Sequence, residues 1–243
     1  MRNVRICQFE ANLNLEQEFC LDDDGFGHLI KVLRFKQDDP FTVFNGLETY
    51  EYEAVLTEVT NKKASFKCLK KIERNVESPL LIELGQVVSK GDKMEFTIQK
   101  ACELGIYKIT PLYSQRCNVK LDDKRKDKKQ EQWQKIAISA CEQCGRTIVP
   151  KVAPITNIDT WYQENRDYLN LTLDPRANVP LSKIQIQKRL RLLVGPEGGL
   201  DESEVNHALE FNFKGVSLGP RILRTETAAL AALSILGSAF GDL

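Results

Sequence analysis

From Pro79 onward the chain alternates between short apolar runs and stretches of helical period, and this alternation limits the fold more than any other feature. Leu80-Leu81-Ile82-Glu83-Leu84 is one such run, and a run with so little polar alternation is what a strand buried on both faces requires. Asp92 then stands where a helix N-cap would. The apolar period through Met94, Ile98, Ala101, Cys102 and Leu104 stops at Gly105, a residue type suited to the left-handed conformation that closes a helix. Strand-like runs recur at 109–113, 168–173, 190–194 and 215–218 with helical segments between them. Strands separated by helices return to a sheet through crossovers, so the pattern predicts a parallel α/β sheet.

Residues 1–72 have a different rhythm. Phe41-Thr42-Val43-Phe44 runs into Asn45-Gly46, a strong hairpin signal because both residue types tolerate positive φ. Tyr50 to Leu56 alternates, a polar turn follows at Asn61-Lys62-Lys63, and Ser65 to Leu69 reads as another strand. Short strands joined by polar turns predict a small barrel or sandwich. Glu73 to Pro79 reads as a linker, which divides the chain into domains at 1–72 and 73–243.

Lys+Arg and Asp+Glu each number 34 among 243 residues, so the net charge is zero. That balance argues against a passive coat for nucleic acid but leaves room for a local basic groove. Between 116 and 135, eight basic residues face four acidic ones. This strip, centred on KRKDKK at 124–129, reads either as a solvated helix start or as a contact for RNA phosphates. The opening MRNVRICQFEANLNLEQEF has no apolar core for a signal peptide or anchor. The segment Ala228 to Phe240 is too short to span a bilayer comfortably. Cys141-x-x-Cys144 lies within a helical pattern and lacks a second pair at metal-ligand spacing, so it reads as structural and no metal is expected. A reduced, cytoplasmic compartment suits the scattered cysteines.

Two loops carry the candidate chemistry. Leu192-Leu193-Val194 leads into Gly195-Pro196-Glu197-Gly198-Gly199-Leu200, and Asp201 with Glu204 has capping-box spacing. Glycines here either make a tight turn or let a flat ligand approach the main chain. Neither G-x-G-x-x-G nor a P-loop pattern is present. The second loop, Val216 to Thr227, brings Arg221, Arg224 and Glu226 to a strand end and a helix start, with Thr225 as the expected N-cap. Ligands of open α/β sheets bind at strand carboxyl ends.

LLVGPEGGLDESEV followed by VSLGPRILRTETAALAAL resembles the signature of the SPOUT methyltransferases, in particular the RsmE family. The resemblance extends to KGDKMEFTIQKACELGIYKITPLYSQRC and WQKIAISACEQCGRT. It also takes in HLIKVLR at 28–34 and FNG at 44–46, so it covers nearly the whole chain. It implies a PUA-like RNA-binding β-barrel followed by an α/β domain with a C-terminal trefoil knot, assembled as a homodimer. The implied activity is S-adenosylmethionine-dependent methylation of N3 of a uridine in 16S rRNA of the small ribosomal subunit. The cofactor would lie between Gly195, Pro196, Glu197, Gly198 and Gly199 on one side and Leu218, Gly219, Ile222 and Leu223 on the other, with Leu173 nearby.

A methyl group on a sulfonium needs no metal and no nucleophilic side chain, only alignment and removal of the imide proton. Arg224 is the residue expected to orient the base, and Glu226 is expected to hold Arg224 or accept the proton; the rival reading makes them a structural ion pair. Arg146, past the helix ending at Gly145, is either a further active-site group, within one protomer or across the dimer, or a solvent-facing arginine. His28, Arg34, Lys36 and Arg116 are candidate RNA contacts, whereas His207 falls on a surface helix. Competing functions are methylation of a transfer-RNA ribose and a silent RNA-binding scaffold.

Overall fold

The computed structural model describes residues 4–119, 121–164 and 167–243. The chain divides into two compact units, one of 1–77 with 138–149 and one of 78–137 with 150–243. The first unit contains β1 (Arg5–Cys7), β2 (Glu18–Cys20), α1 (Asp23–Phe26), a π-helix (Gly27–Val32), β3 (Pro40–Phe44), β4 (Tyr50–Val59) and β5 (Ala64–Glu73). Its five-stranded sheet has the order β1-β3-β4-β5-β2, with β1 and β3 parallel and the other pairs antiparallel. Alternation places Tyr52, Ala54 and Leu56 of β4 inward, where they meet Ile6, Leu29, Phe41, Val43 and Phe66 in one core. Asn45-Gly46 does not make a two-residue hairpin. Asn45 Oδ1 accepts from the Leu47 and Glu48 N–H groups, and Gly46 takes φ +78°, so a longer loop joins β3 to β4. Segment 138–149, placed by the sequence with the second domain, belongs to this unit.

The second unit follows the strand–helix alternation: β6 (Leu81–Val87), α2 (Lys93–Glu103), β7 (Lys108–Tyr113), α3 (Asp123–Cys144, whose last turns belong to the first unit), β8 (Lys151–Val152), β9 (Thr156–Asn157), α4 (Ile158–Tyr162), β10 (Leu169–Leu173), β11 (Arg189–Val194), α5 (Glu202–Glu210), β12 (Phe213–Val216) and α6 (Thr225–Phe240). Every strand pair in its sheet is parallel, in the order β12-β10-β11-β6-β7-β8, with β9 also on β7. Leu84, Leu171, Leu190, Leu192 and Leu193 are fully buried, as their near-continuous apolar runs predict. Asp92 is the N-cap residue of α2, but its side chain makes no capping bond. The Asp201/Glu204 capping box is present at α5.

One buried polar cluster crosses this sheet. Arg191 of β11 is fully buried, with its guanidinium carbon 3.8 Å from the centre of a Trp161 ring, and it donates to the main-chain oxygens of Trp161 and Glu164. Glu83 of β6 accepts from Lys108 Nζ at 2.9 Å and from Thr110 Oγ1 and Trp161 Nε1 at 3.1 Å. A Cβ on Gly85 would come within 2.5 Å of the Trp161 ring, so β6 needs glycine where the indole lies across it. Burial pulls the Arg191 pKa down to about 10, against the pull of the Glu83 and Glu164 charges. Burial would raise the Glu83 carboxyl, but the Lys108 bond and charge, the Trp161 N–H and the Arg191 charge outweigh it and hold the group below its ordinary 4.5. Among the described residues, no helix is long and apolar enough to cross a membrane.

Candidate cofactor site

The carboxyl ends of β10, β11 and β12 open onto one cavity of about 500 Å³, within the range of small-molecule sites. All ten residues expected to hold a cofactor line it: Leu173 at the end of β10, Gly195 to Gly199 after β11, and Leu218, Gly219, Ile222 and Leu223 after β12. Gly199 and Gly219 sit at φ +70° and +102°, where a side chain would be strained, and among the described residues nothing lies within 4 Å of the Cβ either would carry. Main chain is therefore presented to the cavity without obstruction, the arrangement an adenine edge or a ribose can use. Parallel strands on a shared edge bring the two loops together, although their first glycines lie far apart in sequence.

The glycine loop is fastened from three sides. Thr225 Oγ1 donates to the Gly195 oxygen at 2.6 Å and accepts from Gln86 Nε2 at 2.9 Å. Lys93, at the start of α2, meets Glu197 at 3.1 Å. Arg116, just past β7, donates to the Gly198 oxygen at 3.2 Å and to Asp201 at 2.8 Å. Within the loop, the Gly199 N–H closes a turn onto the Pro196 oxygen at 2.9 Å. Burial raises the Glu197 carboxyl, but its own N–H, Lys93 and the Lys90 N–H together hold it low.

The structure redistributes several expected roles. The N-cap of α6 is Arg224, not Thr225; Thr225 is the first helical residue, and its hydroxyl goes to the glycine loop instead. Arg224 lines the cavity, exposed, and among the described residues neither it nor Arg221 has a side-chain partner. Among the described residues Glu226 does not pair with Arg224, is not part of the lining, and has its Oε2 buried without a hydrogen-bond partner. Arg146 is not solvent-facing. It is 5% exposed within the first unit, where its Nε donates to both Glu77 oxygens at 3.1 Å. Arg116 sits on the cavity wall, paired inside the protein.

His28, Arg34 and Lys36 are exposed in the first unit, on the π-helix and the turn after it, with Arg34 at φ +59°. His207 of α5 bonds Asp159 at 2.9 Å and does not line the cavity. In the basic strip, Arg125, Lys126 and Lys129 pair with Asp122, Asp123 and Glu95, while Lys120 lies outside the described residues, as do Met1, Arg2 and Asn3. Cys141 and Cys144 both lie on α3; the bond with Cys141, then burial, push the Cys144 thiol strongly up, so it stays protonated. Among the described residues, no three His, Cys, Asp or Glu side chains are placed to hold a metal.

Sequence reasoning missed Asp174 and Arg176, which also line the cavity. Burial would raise the Asp174 carboxyl, yet the Arg176 guanidinium and N–H hold it low, at 3.1 and 2.9 Å. The only available signal was the D-P-R turn at 174–176 after a buried strand. Lys93 and Thr225 were missed as fasteners because their partners are remote in sequence.

Residues 76–237 match the RNA methyltransferase domain family, and residues 21–68 match the RNA methyltransferase PUA domain family. A Buchnera aphidicola (from Acyrthosiphon pisum) ribosomal RNA small subunit methyltransferase E is 37% identical over 235 residues, covering 96% of this chain and 92% of its own. The Neisseria gonorrhoeae ribosomal RNA small subunit methyltransferase E bound to S-adenosyl methionine superposes with a TM-score of 0.90 at 36% identity, covering 99% of both chains. A Legionella pneumophila protein described as a methyltransferase, in complex with bound SAM, gives a TM-score of 0.92 at 39% identity over 100% of both. With its two loops gathered at one sheet edge and these relatives along its whole length, the chain belongs to the ribosomal RNA small subunit methyltransferase E family of RNA methyltransferases.

Proposed function

We propose that the protein transfers a methyl group from S-adenosylmethionine to N3 of a uridine in 16S rRNA of the small ribosomal subunit. The observation that carries this reading is the single cavity formed by the glycine loop and the 218–224 loop, with open main chain at Gly199 and Gly219. Two relatives of similar length hold this cofactor. Gly195, Pro196, Glu197, Gly198 and Gly199 would hold it on one side, with Leu218, Gly219, Ile222, Leu223 and Leu173 on the other. When bound, the cofactor supplies a methyl group on an electrophilic sulfonium sulfur. The strand order β12-β10-β11-β6, in which the chain leaves β10 for β11 and returns outside β10, supports the trefoil-knotted arrangement.

The protein's own contribution is alignment and charge. Arg224, at the N-cap of α6 with no side-chain partner among the described residues, orients the base and balances negative charge on its carbonyl oxygens as the N3 proton leaves. The positive end of the α6 dipole adds to that field. Glu226 lies off the cavity lining with its Oε2 buried, so we assign the leaving N3 proton to water and give this carboxylate no contact with the base. We assign Arg146 a structural role within the first unit through Glu77, not a catalytic one.

Exposed His28, Arg34 and Lys36 would contact rRNA from the unit that includes the PUA-matching segment. A paired or stacked uridine must be exposed before its N3 meets the methyl group, so assembled subunits should be methylated well and naked RNA poorly. The target also places the reaction in the cytoplasm. A homodimer belongs to the same proposal. Phe240 of α6, 42% exposed, offers apolar surface for it, and sedimentation over a concentration series checks it. The test of the activity is mass spectrometry of nucleosides from small subunits incubated with the protein and methyl-labelled cofactor. Labelled 3-methyluridine is expected; label on a ribose, label in transfer RNA alone, or equal rates on naked RNA and subunits would contradict the reading.

A further inference from the structure

We propose that Arg116 is a positioning residue for the cofactor: it straps the glycine loop into its binding shape and is not a contact for RNA phosphate. This rests on the reading that the cavity takes S-adenosylmethionine. Residues 115 and 116 leave the end of β7, two strands away from β11, and reach across to segment 198–204. Arg116 Nη1 donates to the Gly198 oxygen at 3.2 Å, and Nη2 donates to Asp201 Oδ2 at 2.8 Å. The Gln115 N–H donates to Glu204 Oε1 at 2.7 Å, and Gln115 Nε2 donates to Ser203 Oγ at 3.0 Å. Asp201 and Glu204 are the two halves of the α5 capping box, so the strap grips the glycine loop and the helix start together.

The physical need follows from the loop's composition. Gly198 and Gly199 have no side chains to anchor them, and glycine loses the most conformational freedom on ordering. A ligand that had to order them would bind more weakly by that cost; a guanidinium fork holding the Gly198 carbonyl removes the cost before the ligand arrives. The Arg116 side chain also packs beside the loop, with its Cδ 3.8 Å from where a Cβ on Gly198 would stand. The Arg116–Asp201 pair is half exposed, 51% and 31%, so it adds little to global stability. Its effect should therefore appear in cofactor affinity and not in melting. A guanidinium with both arms engaged is also poorly placed to serve a phosphate.

The test compares wild type with Arg116→Ala and Arg116→Lys by calorimetry with S-adenosylmethionine, by turnover at saturating cofactor, and by subunit binding across a salt series. In Arg116→Ala the cofactor Kd should rise about tenfold, with kcat at saturation within about twofold. The salt slope of subunit binding should not change. Arg116→Lys, which can reach one of the two acceptors, should recover part of the loss and settles the matter if the alanine variant does not fold. An unchanged Kd together with a salt slope smaller by about one would make Arg116 a phosphate contact and overturn the proposal. Absence of cofactor binding by wild type would overturn the functional reading and this proposal together. Normal wild-type binding with unchanged variants would overturn this proposal alone.

Discussion

The loop after β11 and the loop after β12 face the same cavity, yet among the described residues only the first is fastened by side chains from neighbouring elements. Gly195, Glu197 and Gly198 are tied to Thr225, Lys93 and Arg116. Arg221 and Arg224 on the second loop have no side-chain partner among the described residues, and Ile222 is 87% exposed. A wall ordered in advance suits a small ligand whose shape never varies, because the cost of ordering has already been met by folding. An open wall with free guanidinium groups suits a large substrate that completes the site on arrival.

Four experiments would break or sharpen this contrast. Arg224→Ala should lower kcat by about a hundredfold or more and leave cofactor Kd within about threefold. A shift in Kd with kcat intact would remove the distinction between the walls. Thr225→Val strips the Gly195 oxygen and the Gln86 amide of their shared partner. It should destabilise the fold by about 1–3 kcal/mol in urea melts and weaken cofactor binding about tenfold, with kcat at saturation little changed.

The sheet beneath the fastened wall supplies a pH test. Glu83 is held below its ordinary 4.5 in the folded protein, so its stabilising contribution is complete above that value and is lost as pH falls through the lower folded value. Stability should therefore decline on acidification below about 4.5, and Glu83→Gln should flatten that slope in denaturant titrations. The smallest effect is expected on the open wall: Ile222→Ala should change stability by no more than about 0.5 kcal/mol. A larger loss would mean that this side chain is packed, and that the second wall is less open than described.

The same contrast separates what could be read from the sequence from what could not. The glycine loop, its capping box and the strands beneath it were legible because they rest on local rules: buried apolar runs, capping spacing and unhindered main chain. The alternation from Leu80 onward was enough for the parallel sheet, and the family resemblance marked the ten cavity residues. The fasteners were not legible. Arg116 lies 82 residues from Gly198 and Gln86 lies 139 from Thr225, and only the strand order makes them neighbours. For the same reason Arg116 looked like a free cation, Arg146 like an active-site or solvent-facing group, and Thr225 like a cap. In the first unit, β1 and β2 are three residues each, too short to show a period, and the π-helix at 27–32 has no sequence rule to announce it. Nor does any local signal assign 138–149 to that unit, because helix α3 runs through the boundary without a break.

The most direct measurement is a crystal structure of the protein grown with S-adenosylmethionine. The account predicts the nucleoside lodged between the two loops, touching main chain at 195–199 on one side and residues 218–223 on the other, with the methyl group turned toward Arg224. Cofactor bound elsewhere, or in contact with only one of the two loops, would contradict it.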